Sequence, residues 1–184
     1  YLAGPSWRFV LMPGVLGSDE TVWAGVLMPS VDRVGRYFPL TLVQPLPQLA
    51  GVAAQIEPLL SWLQRLDDLA VDALQDDWSV EQLEDELQRL GPWQVDEASV
   101  APVPLLQAPL ALPTLELRPQ MDVPSLLAGL AREQFLHMLQ GRALWLHSDV
   151  QGQPLLRITT GLPSGTEFSD LLGRDCSEVS PPSN

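Results

Sequence analysis

Two apolar runs, residues 22–28 and 37–43, flank a loop that carries Asp32, Arg33 and Arg36. No other stretch constrains the fold as tightly. Val22, Trp23, Val26 and Leu27 have the bulk that packs on a pleated, half-buried surface. Pro29 and Ser30 are expected to stop the first run, because proline cannot donate to a strand ladder. Gly35 permits a backbone turn that a larger residue would resist. Phe38 precedes Pro39, which biases it toward extended backbone. The expectation is two buried strands presenting a short, doubly cationic loop at one end of a sheet.

A first strand precedes them. Residues 7–12 form a bulky apolar run, interrupted by Arg8 and ended by Pro13 and Gly14. Trp7, Phe9, Trp23 and Phe38 are expected to be core aromatics. After Pro47 the period changes to helical: Leu59, Leu63, Leu66, Ala70 and Leu74 recur at three- or four-residue steps, with Trp62 and Leu69 widening the face. Pro58 suits a first helical turn, where its missing N–H does no harm. Ser79 with Gln82 reads as a capping box opening a second helix, striped by Leu83, Leu87 and Leu90 and ended by Gly91 and Pro92.

Residues 93–123 carry five prolines in a mostly uncharged background, so an extended crossover is expected, with one edge strand near 115–117. A helix from Pro124 to Gly141 follows, with Leu126, Leu127, Leu130, Phe135 and Leu139 on its apolar face. Residues 143–148 and 155–160 read as a strand pair, and Thr166 as the cap of a last helix ended by Gly173. The domain is thus expected over 1–173, with 174–184 a mobile tail.

Charge narrows the partners. The net charge is −13, and all ten basic residues are arginine. Nucleic acid and anionic membrane surfaces would be repelled, and a basic protein surface favoured. Between Glu57 and Glu97 lie 12 of the 23 acids against only Arg65 and Arg89, either a solvated helical face or a docking surface for a basic partner. Cys176 stands alone, which excludes an intrachain disulfide and suits a reducing, cytoplasmic setting. The uncharged runs at 37–56 and 98–115 are broken by prolines and do not read as membrane-spanning helices.

Chemistry has little to work with. A serine hydrolase would have to join Ser30 and Asp32 to His137 or His147, yet Ser30 lies in no Gly-x-Ser-x-Gly elbow. The histidines lack HExxH spacing, so no metal site is expected, and no glycine-rich phosphate cradle is present. No cofactor is expected. Arg33 and Arg36 can pair with the protein's own acids and fix the loop. Alternatively their guanidinium forks can clamp a partner's carboxylate or phosphate, with Asp32 orienting one of them.

Trp7-Arg8-Phe9 and the run from Ala24 to Leu40, AGVLMPSVDRVGRYFPL, resemble the signature of the TagF (ImpM) family of type VI secretion accessory proteins. Ala143-Leu144-Trp145, Gly161-Leu162-Pro163 and Phe168 resemble that family's closing strands and helix. Family members usually carry a further strand and a Gly-Lys-rich segment upstream, for which this sequence has no counterpart. The resemblance implies an α/β fold, a three-layer α/β/α sandwich with a mixed sheet. It also implies a non-enzymatic, cytoplasmic, post-translational repressor of type VI secretion, which engages the forkhead-associated scaffold protein independently of threonine phosphorylation. Ser30, Asp32, Arg33, Gly35, Arg36 and Tyr37 are then the candidate partner-binding residues. A small serine hydrolase using Ser30, or a structural subunit of the apparatus, are the alternatives.

Overall fold

The structure is a computed structural model that describes residues 4–17, 20–31, 34–46, 55–95, 131, 134–135, 137–148 and 152–171. In chain order its elements are β1 (Trp7–Leu11), β2 (Val22–Val31), β3 (Tyr37–Leu46), α1 (Ile56–Gln75), α2 (Val80–Leu90), β4 (Arg142–Ser148), β5 (Pro154–Thr160) and α3 (Gly165–Leu171). The expected crossover beyond residue 95 and its edge strand lie outside the described residues, as do most of the helix from Pro124, Gly173 and the tail.

The five strands form one sheet in the order β3-β2-β1-β4-β5, and every neighbouring pair is antiparallel. The fold is therefore α/β, but the expected mixed sheet is corrected. Short connections join β1 to β2, β2 to β3 and β4 to β5, and such links produce antiparallel neighbours. The excursion through α1 and α2 then returns β4 beside β1 in the opposite direction.

Alternation along the strands sends apolar side chains to both faces. From β1 and β2, Val10, Val22, Ala24, Val26 and Met28 meet Leu59, Trp62, Leu63, Leu66 and Ala70 of α1. Their neighbours Trp7, Phe9 and Leu11 point the other way, onto Ala143, Trp145 and Leu171, with Trp23 and Leu27 partly buried beside them. Trp7 Nε1 donates to the Leu171 carbonyl at 2.7 Å, which fixes the end of α3 to β1. The stripe read for α1 holds except at its end, where Leu74 is exposed and Ala73 takes the buried position.

Three local expectations change. β2 does not stop at Pro29; it runs on to Val31, because Pro29 stands opposite Pro39 and the two missing donors fall on one rung. α3 is capped by Ser164 rather than Thr166: the Glu167 carboxylate accepts from the Ser164 N–H at 3.0 Å and from its hydroxyl at 3.2 Å. Phe135, expected on a buried face, is exposed, while Leu139 is buried.

The capping box at α2 is present as read, with Gln82 N–H donating to Ser79 Oγ and Ser79 N–H to Gln82 Oε1. Two polar ties then seat the chain beyond α2. Trp62 Nε1 donates to the Gly91 carbonyl at 3.0 Å. The Gln44 amide both donates to the Trp93 carbonyl and accepts from its N–H.

Candidate interaction surface

The β2–β3 hairpin projects past the body of the sheet. Its last rung is Val31 opposite Tyr37, and the chain turns back by way of Gly35. Gly35 has a φ of 82°, the left-handed region that glycine enters without a Cβ clash. Asp32 and Arg33 lie outside the described residues. Around the turn, Val34 is 74% exposed, Tyr37 64% and Phe38 45%. Phe38 is thus no core aromatic: it sits next to the tip, one residue from the last rung. Arg36 is exposed too, and Val34, Arg36 and Tyr37 each hold an interaction within the protein.

Ser30 behaves differently. It lies inside β2, opposite Phe38, with 6% of its surface accessible, and offers a partner almost nothing to touch. Among the described residues, neither histidine hydrogen-bonds to it. The His147 Nδ1 lies 2.9 Å from the Ser6 carbonyl oxygen, and its ring sits 5.1 Å from that of Trp7. His137 is exposed.

A polar cluster that sequence reading did not single out joins β1 to α1. Arg8 donates to Gln64 Oε1 and, at 3.4 Å, to Ser148 Oγ, while its Nε lies 4.0 Å from Asp67 Oδ2. The Ser6 hydroxyl donates to the other Asp67 oxygen. Burial raises the Asp67 carboxyl above its ordinary value, against the opposing pull of the Ser6 hydrogen bond and the Arg8 charge; Asp68 adds to the rise and His147 opposes it. The sequence signal was Arg8 itself, a charge interrupting an apolar strand.

The remaining acids of α1 and α2 line exposed faces, and the pairing of Glu86 with Arg89 lies on that surface. Among the described residues, no group of three or more histidine, cysteine, aspartate or glutamate side chains is placed to hold a metal ion. No described helix is long and apolar enough to cross a membrane.

Residues 1–90 match the TagF N-terminal domain, described as type VI secretion system-associated. The crystal structure of PA0076 from Pseudomonas aeruginosa PAO1 is similar in fold, with a TM-score of 0.64 and 29% identity, over 100% of this chain and 76% of that one. Among curated proteins none matches the chain. The Trp-Arg-Phe strand, the long hairpin and the α1–α2 pair all fall within the matched residues, and that half of the chain belongs to the TagF family of type VI secretion-associated proteins.

Proposed function

We propose that this TagF-family chain is a non-enzymatic, cytoplasmic, post-translational repressor of type VI secretion, and that it acts by occupying a surface of the forkhead-associated scaffold protein. The observation that carries this reading is the exposure of Val34, Tyr37 and Phe38 together at the hairpin tip. Aromatic side chains left open on a surface are what protein interfaces use as anchors. Arg36 beside them supplies a guanidinium fork suited to a partner's carboxylate. With Asp32, Arg33 and Gly35 these residues make up the contact loop, and buried Ser30 supports it from within β2. The domain is read as a three-layer α/β/α sandwich, with α1 and α2 over one face of the sheet and α3 against the other; this is supported by the two apolar clusters.

The test is capture of the scaffold protein by the immobilised chain. The variant Arg33→Ala with Arg36→Ala should fold normally and lose capture. Undiminished capture would remove the loop from the interface.

A further inference from the structure

Between β3, α1 and α2 lies an open groove of about 570 Å³. Thr41, Leu42, Val43 and Gln44 form one wall, Leu87, Gln88 and Leu90 the other, and Trp62 with Leu66 the floor. No lining residue is charged. The floor is fixed rather than loose, because Trp62 is tied to Gly91 and Gln44 to Trp93 on either side of it.

α2 makes the groove unusual. It has a leucine stripe at Leu83, Leu87 and Leu90, yet it contains no fully buried residue. Its apolar stripe is only half covered by the protein's own core. Above the stripe, Glu81, Glu84 and Gln88 follow one another at three- and four-residue steps and are all exposed. Gln88 lines the groove, and Glu84 and Glu81 continue its row along the exposed side of α2, in a chain whose net charge is −13. Arg89 points to the other side of α2, where it pairs with Glu86 and faces a separate cleft with Asp68 and Asp72.

We infer that this groove is a docking site for a basic amphipathic helix of a partner protein, with leucine-like side chains seated between Val43 on one wall and Leu87 and Leu90 on the other, and arginine or lysine facing Glu81 and Glu84. An apolar trough beside a row of one charge sign is how helix-in-groove recognition combines affinity with orientation. Strand addition to β3 is disfavoured, because Pro39 and Pro45 bracket Thr41–Gln44 and leave too short an edge to pair. A second copy of this chain would bring two strongly negative molecules together. The inference concerns a surface separate from the hairpin tip and does not depend on the identity of the scaffold.

The probe is a fluorescein-labelled synthetic helix of leucine and arginine, titrated into the whole chain by anisotropy. It is run beside a version with glutamate for arginine and a version broken by central prolines. Only the intact basic helix should bind, and Glu84→Arg with Gln88→Arg should weaken it at least tenfold while the circular dichroism spectrum and melting temperature stay unchanged. Both positions are solvent-facing, so loss of folding does not confuse the result. Arg36→Ala with Tyr37→Ala should leave helix binding intact, which separates this site from the hairpin contact. Equal binding of all three peptides, or full binding by the Glu84→Arg, Gln88→Arg variant, would overturn the assignment. So would concentration-dependent dimers in sedimentation that Gln88→Arg abolishes, since the occupant would then be a second copy.

Discussion

Arg8 Nε lies 4.0 Å from the Asp67 carboxylate, so a charge in the middle of an apolar strand is matched by one on the inner shoulder of α1. The Trp-Arg-Phe segment is therefore more than a strand: Trp7 and Phe9 serve one face of the sheet, and Arg8 ties the other to the helix.

Replacing Arg8 by alanine should lower stability by about 2 kcal/mol in urea unfolding, because the partly buried Asp67 loses its counter-charge and Gln64 and Ser148 lose a donor. A double-mutant cycle with Asp67→Asn should give a coupling well above measurement error. Independent, additive effects would mean that the pair contributes nothing specific.

The pH dependence has a defined sign. Burial raises the Asp67 carboxyl above 3.8, so the native state holds this proton more tightly than the unfolded chain. Its favourable contribution is complete below that ordinary value and disappears as pH rises through the raised native one. Wild type measured against Asp67→Asn by urea unfolding should thus fare best at the acid end, decline across that window and stay level above it. A relative gain by wild type with rising pH would show that Arg8 outweighs burial.

Gly25 has no room for a side chain. A Cβ there would press on the Leu42 carbonyl oxygen and meet the Phe9 ring at 3.0 Å, and backbone in a paired strand cannot step aside cheaply. Gly25→Ala should cost about 3 kcal/mol or prevent soluble expression, since β3 must move off β2. A stable variant with unchanged amide shifts at Val43 would contradict this packing.

How much of this was legible in the sequence varies with the range of the forces involved. The hairpin, the α1 stripe and the Ser79–Gln82 box were readable, because period and capping are local. Strand directions were not, since no local signal says that β4 returns antiparallel to β1. Pro29 misled for a similar reason: its effect depends on Pro39, the residue opposite, which only register reveals. At the candidate site the turn at Gly35 was readable, but the run 37–43 read as a buried strand and β3 is mostly exposed, Tyr37 included. Ser30 and Phe38 exchanged places: the two stand opposite each other in register, yet the serine is buried and the phenylalanine exposed. The Arg8–Asp67 pair joins residues far apart in the chain and left only the bare charge as a hint.

The cap of α2 should be separable from its packing. Ser79→Ala removes the acceptor for the Gln82 N–H and should cost about 1 kcal/mol, read as a lower melting temperature. Ser79→Asp should restore most of it. Equal losses in both variants would assign the effect to something other than capping.

The central claim is that the hairpin tip is an interface. Isothermal titration of the purified forkhead-associated scaffold protein with wild type and with Tyr37→Ala, Arg36→Ala tests it most directly. At least a tenfold weaker affinity in the variant, with an unchanged melting temperature, is the predicted result. Identical affinities in the two titrations would contradict it.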